Sequence, residues 1–225
     1  MQDEDNYIIK VNLFRLDVPL IKPYKLSYNT FNSFEPLLIH VIDKNGKEGW
    51  GEQHISPGSS SETREGGWTF ARVLSKLVLK KSVEEAKKII SSYTHFSKVA
   101  SSAMITAIEM MENNSILANR SSIKLKLLTA FSAEEEFEIK DELDRVIEEG
   151  FSTIKIKVGK DVNSDLKKVN LIQTHLNGRA SLRIDANRGY TKADGCNFVK
   201  QLEPDYIELF EQPCDAGDWE ANASV

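Results

Sequence analysis

The chain has 225 residues, enough for one or two domains. Its 40% hydrophobic and 28% charged residues are an ordinary globular mix, and a net charge of -5 with a pI near 5.5 argues against a nucleic-acid surface, which is normally basic. No apolar run approaches the roughly 18 residues of a membrane span, the polar start 1–6 does not read as a signal peptide, and Cys196 and Cys214 stand in no metal or disulfide spacing. The expectation is a cytoplasmic protein with neither nucleic-acid nor membrane partners.

The first third reads as β. Residues 7–19 alternate apolar and polar side chains, and 37–42 form a short apolar run. Asp43-Lys44-Asn45-Gly46 carries the Asn-Gly of a tight hairpin, and Gly49-Trp50-Gly51-Glu52 continues the return strand. Residues 22–34 and 54–67 read as long loops, which often carry function. Helices are expected over 68–79, from a capping box at Ser82 and Glu85, and over 99–117. Residues 1–122 are therefore expected to form an α+β domain, a three-stranded meander followed by helices.

From residue 123 strand and helix alternate. Strands are expected at 123–129, 153–158, 181–186 and 206–210. Helices are expected at 133–149, ended by Gly150, at 164–176, and at 191–202 before Pro204. This is the βα repeat of a parallel sheet or a (β/α)8 barrel. A barrel needs roughly 200 to 250 residues and only about 100 follow residue 122, so 123–225 reads as an incomplete barrel of about four strands. Half a barrel leaves strand edges unpaired. The sequence is expected to be part of a longer gene product, and the 225-residue chain made alone to be insoluble or inactive.

Functional residues of such folds gather at the C-terminal ends of the strands. Lys155 and Lys157 are two apart on one strand and share a face, with Ile154 and Ile156 on the other. Solvated lysines on an exposed strand are the plain alternative, but a parallel strand is usually covered on both faces. On the next strand Arg183, Asp185 and Asn187 share a face. On the fourth, Ile207, Leu209 and Glu211 share one, which puts Glu211 at the rim. Either acid alone could be a loop cap or a surface group. Two carboxylates on successive strand ends suit a hard cation such as Mg2+. With two lysines facing the same mouth, the set can remove a proton α to a carboxylate. The metal and a cationic neighbour would stabilise the enediolate as charge develops. The base would be a lysine whose pKa is lowered by like charge and burial.

Lys155-x-Lys157, Asp185-Ala186-Asn187 and Glu211-Gln212-Pro213, in this order and spacing, resemble the enolase superfamily. The two-lysine strand is similar to the muconate cycloisomerase (mandelate racemase/muconate lactonizing enzyme) subgroup. Gly49-Trp50-Gly51-Glu52 and Ser61-Glu62-Thr63 look like that family's N-terminal capping domain. The resemblance implies a Mg2+-dependent isomerase or lyase, with Mn2+ as a substitute metal, acting on a small carboxylate substrate. Reactions of this kind include dipeptide or N-acylamino-acid epimerisation, cycloisomerisation and o-succinylbenzoate synthesis. It implies Lys157 as general base, Lys155 as its pKa-lowering and carboxylate-binding neighbour, and Asp185 and Glu211 as metal ligands. Asn187 and Gln212 would be supports. Tyr24 and His54, in the two long loops, would contact substrate, and the full-length protein would be a homo-oligomer. A third acidic ligand and an opposing lysine would lie beyond Val225. Asn119-Arg120-Ser121-Ser122 stands where the family often has Gly-Gly. His40 reads as a strand residue, and His95 and His175 as helix-surface residues. The alternatives are a sugar-acid dehydratase of the same superfamily, against which the two-lysine strand argues, and a non-catalytic binding protein with this fold.

Overall fold

The computed structural model describes residues 6–25, 29–58, 60–118 and 121–225. The polar start 1–5, the middle of the predicted 22–34 loop, Ser59 and the Asn119-Arg120 pair lie outside the described residues. The chain divides into two compact units. One runs to Tyr24 and from Thr30 to Ser122; the other runs from Ile123 to Val225 and includes Lys25 and Asn29.

In the first unit, β1 (Ile8–Arg15), β4 (Pro36–Asp43) and β5 (Glu48–His54) form an antiparallel sheet with β4 in the middle, after β2 (Val18–Lys25) and β3 (Thr30–Phe34). Strand parity sends Leu37, Ile39 and Val41 to the core, where they pack with α1 (Arg64–Val78), α2 (Val83–Tyr93) and α3 (Lys98–Met111). Gly49 and Gly51 lie against α3. A Cβ on Gly51 would come 1.9 Å from the Ala103 carbonyl oxygen, and one on Gly49 2.1 Å from that of Ala107. The sheet thus rests on helix backbone through paired small residues. The expected capping box is present: the Glu85 amide donates to Ser82 Oγ at 3.3 Å, and the Ser82 amide to Glu85 Oε2 at 3.1 Å.

Several expectations change. Residues 22–34 are largely a second, two-stranded sheet, β2–β3, with Phe31 buried, rather than a loop. The Asn45-Gly46 turn is a three-residue hairpin loop: the Asp43 amide donates to the Lys47 carbonyl at 2.9 Å and Gly46 has φ +79°. The buried Asp43 carboxylate accepts from the Asn45 and Lys47 amides and closes it. β5 continues to His54 and α1 starts at Arg64, with Thr63 as N-cap, so the second loop is shorter than 54–67. His95 sits in the turn between α2 and α3 rather than on a helix, and its ring packs against Phe96 at 4.1 Å. His40 lies in β4, between Asn12 and Glu48.

The second unit is a parallel sheet in the order β6 (Thr129–Ala130), β7 (Thr153–Lys157), β8 (Ser181–Asp185), β9 (Ile207–Glu211). It is interleaved with α4 (Glu136–Glu148), α5 (Val162–Leu176) and α6 (Lys192–Gln201), and α7 (Trp219–Ser224) follows. Ile154, Ile156, Leu182 and Ile184 are fully buried in one cluster with Ile139, Leu143, Val169 and Ile172 of α4 and α5. Gly150 closes α4 at φ +89°. The first strand is far shorter than 123–129. Ile123, Leu125 and Leu127 are exposed, and β6 meets β7 over only two residues. Apolar alternation does not make a strand where no neighbouring strand satisfies its backbone. The four strands are half the eight of a closed (β/α)8 barrel.

Candidate active site

With the isoleucines of β7 under the helices, Lys155 and Lys157 project from the opposite face. Lys155 Nζ lies 2.8 Å from Asp185 Oδ2 and 2.6 Å from Glu211 Oε2. Lys157 Nζ lies 2.5 Å from Asp185 Oδ2 and donates to Asn187 Oδ1 at 2.9 Å. The sheet register explains the grouping: Lys157 is level with Asp185, and Asp185 with Glu211. Asp185 is 1% exposed, whereas the two lysine side chains are about one-quarter exposed. The Asn187 amide donates to Asp185 Oδ1 at 2.8 Å, which turns the chain back over the strand end. Asn187, Arg188 and Gln212 all adopt positive φ, a conformation rare outside glycine and concentrated at functional sites.

Below this layer lies a second one. Glu208 accepts from Thr153 Oγ1 at 3.0 Å and from Arg183 Nε at 2.8 Å. It corrects the simple parity of the fourth strand. The register slips by one residue between Leu182 and Arg183, so Leu182 faces Ile207 while Arg183 faces Leu209. This bulge lets Ile207 and Phe210 both pack on the core. Ile207 therefore does not share a face with Glu211, although Glu211 still reaches the rim.

The carboxylates dominate the electrostatics. Burial opposes the charged form of Asp185, yet hydrogen bonds from Lys155, Lys157 and the Asn187 amide outweigh it and hold its pKa below the ordinary value. Burial likewise works against the Lys155 ammonium, but Asp185 and Glu211 prevail and its pKa is raised. A depressed carboxylate contributes stability that is complete above its unfolded pKa of about 4 and is lost as pH falls through the folded value. Melting temperature should therefore decline on acidification below about pH 4. Asp185→Asn should lower stability at neutral pH by about 2 kcal/mol, the loss from a broken buried pair discounted for the partly exposed lysines, and should flatten the acid limb. Thermal unfolding from pH 7 to 3 checks both.

The donor set suits a hard divalent cation, because two carboxylates face each other from adjacent strands in register. Among the described residues no three His, Cys, Asp or Glu gather as a ligand set. Tyr24 and His54 belong to the first unit, where both rings pack on Phe34 at 5.9 and 4.7 Å. Burial lowers the His54 pKa, and both its ring nitrogens are hidden from solvent. Sequence reasoning missed Gly159, Asp165, Gly189 and Tyr190, which knit the loops behind Lys157 and Asn187. Gly159, one residue past a lysine-bearing strand, was the available signal. Among the described residues no helix is long and apolar enough to cross a membrane.

Residues 138–225 match the family model described as enolase C-terminal domain-like. The L-Ala-D/L-Glu epimerase of Bacillus subtilis is 26% identical over 229 residues, covering 94% of this chain and 61% of that protein. Muconate cycloisomerase 1 of Acinetobacter baylyi is 26% identical over 231 residues, 96% of this chain and 62% of that one. Among solved structures, the dipeptide epimerase of Cytophaga hutchinsonii, complexed with Mg and D-Ala-L-Val, superposes with a TM-score of 0.88 at 19% identity. It covers 97% of this chain and 63% of its own. A mandelate racemase/muconate lactonizing protein of Herpetosiphon aurantiacus gives 0.85 at 23% identity, with coverages of 96% and 64%. These likenesses establish the fold, and the chain spans about 61–62% of the length of these two curated relatives. Its strand order, its Lys155-x-Lys157 face and the acids of the next two strands thus resemble those of the enolase superfamily, whose C-terminal domain-like model residues 138–225 match.

Proposed function

We propose that the protein removes the proton α to the carboxylate of a small-molecule substrate, as an isomerase, epimerase or lyase dependent on Mg2+ or Mn2+. The observation that carries this reading is the convergence of Lys155, Lys157, Asp185 and Glu211 within hydrogen-bonding distance at three successive strand ends. Lys157 is the base, and Asn187 and Asp185 fix its amine. Lys155, on the same face, is placed to bind the substrate carboxylate and to balance negative charge as the proton leaves. A cation held by Asp185 and Glu211 supplies positive charge beside that carboxylate and offsets the anionic charge that keeps Lys155 protonated. Asn187 holds Lys157 from the loop side, and Asp185, nearly sealed from water, keeps the lysines at fixed height.

Relatives named as an L-Ala-D/L-Glu epimerase and as an N-succinyl-L-Arg/Lys racemase suggest the first probes, an L-Ala-L-Glu dipeptide and an N-succinyl amino acid. Treatment with EDTA should abolish Cα-deuterium incorporation from D2O, and Mg2+ should restore it. Asp185→Asn should weaken Mg2+ binding, measured by calorimetry, at least about tenfold. Metal-independent exchange, or an unaltered Mg2+ affinity in Asp185→Asn, would sink the assignment of the carboxylates.

A further inference from the structure

Asp165 is a buried carboxylate, 7% exposed, in the first turn of α5. Its Oδ2 accepts from the amides of Gly159 at 2.9 Å, Lys160 at 3.0 Å and Asp161 at 3.2 Å, all in the loop that follows Lys157. The same oxygen accepts from Tyr190 Oη at 2.7 Å, and Tyr190 ends the loop that follows Asp185 and Asn187. Tyr190 is 6% exposed, and burial together with the Asp165 charge raises its pKa, so it remains a hydroxyl donor. The two loops also touch backbone to backbone. A Cβ on Gly159 would lie 2.4 Å from the Ala186 carbonyl oxygen, and one on Gly189 2.2 Å from that of Gly159. The far side is tied down as well: the Arg188 amide donates to the Gln212 carbonyl at 2.7 Å, and the Tyr190 amide to that of Pro213 at 3.0 Å.

We infer that Asp165 and Tyr190 are positioning residues that lock the loop after β7 to the loop after β8, so that Lys157 and Asn187 are presented as one unit. Neither touches the reacting atoms. Three amides aimed at one carboxylate fix the β7 loop, and the Tyr190 hydroxyl transmits that position to the loop carrying Asn187. The 2.9 Å contact between Lys157 Nζ and Asn187 Oδ1 depends on both. A buried carboxylate saturated by donors is costly to disturb, so the pair holds the base more firmly than the exposed loops alone would. The catalytic half of this inference rests on Lys157 as base; the structural half does not.

The test is Tyr190→Phe, with Asp165→Asn as a second variant, in the protein expressed whole. Amide hydrogen exchange should quicken about tenfold or more at 159–161 and 188–190, while β7 and β8 keep their protection. With a substrate that exchanges its Cα proton, kcat should fall about tenfold. KM and Mg2+ affinity should stay within about twofold, because Asp185 and Glu211 sit on strands. Unchanged protection at 159–161 overturns the coupling, and so does a uniform loss across β7 and β8, which would mean only general stability. If the parent exchanges no Cα proton, the proposed function fails, and the amide measurement still decides this inference.

Discussion

Lys157→Met is expected to slow Cα-proton exchange about a thousandfold, within the range that a positioned general base contributes. Methionine matches the lysine in length but cannot take a proton. The substitution leaves Asp185 its partner Lys155 at 2.8 Å, and leaves Asp185 and Glu211 in register on adjacent strands. The variant should therefore fold, bind Mg2+ at least as tightly as the parent, and lose kcat rather than KM. Lys155→Met should behave differently. It removes the ammonium that contacts both carboxylates and is placed to bind the substrate carboxylate, so KM should rise along with the fall in kcat. Steady-state kinetics of the two variants separate the roles. A Lys157→Met protein that exchanges within about threefold of the parent has its base elsewhere.

The largest expected structural effect lies in the first unit. Gly51→Ala should cost about 3 kcal/mol or more, because its Cβ would stand 1.9 Å from the Ala103 carbonyl oxygen and 2.9 Å from the Ala107 nitrogen. Those are backbone atoms of α3 and cannot rotate away like a side chain. Strand and helix must separate, opening the cluster that includes Met104, Ile108 and Ile39. Gly46→Ala is the control. It meets nothing within 4 Å and has only its φ of +79° to contend with, a cost of about 1 kcal/mol. At about 2 to 4 °C per kcal/mol for a chain of this size, the two melting temperatures should differ by several degrees. Equal melting temperatures would show that β5 does not rest on α3 as described.

What was legible in the sequence was local. Period-two parity placed Ile154 and Ile156 in the core and Lys155 and Lys157 on the other face, and the structure has them there. The capping box at Ser82 was legible because both of its bonds lie within four residues. What was not legible depends on partners distant in sequence. The bulge at Glu208 arises from pairing with Arg183 and Thr153, 25 and 55 residues away, and no pattern within Ile207–Glu211 announces it. The alternation at 123–129 reads as a strand, yet only Thr129 and Ala130 find a neighbour. Lys155 was expected to lower the proton affinity of Lys157 by repulsion, and nothing was expected of the proton affinity of Lys155 itself. The carboxylates brought in by β8 and β9 raise the pKa of Lys155 against burial. Asp165 and Tyr190 were invisible for the same reason, since their hydrogen bond joins residues 25 apart.

Removal of an α-proton from a carboxylate substrate, at the face carrying Lys155 and Lys157, is the step on which the proposed function stands. It is tested most directly by following the Cα–H signal of the dipeptide and N-succinyl probes by NMR in D2O, with the expressed protein and Mg2+. The Cα–H signal of at least one probe should disappear with protein and Mg2+ present, and persist when Lys157→Met replaces the parent. A folded, Mg2+-binding parent that binds these probes and leaves every Cα–H intact would contradict it.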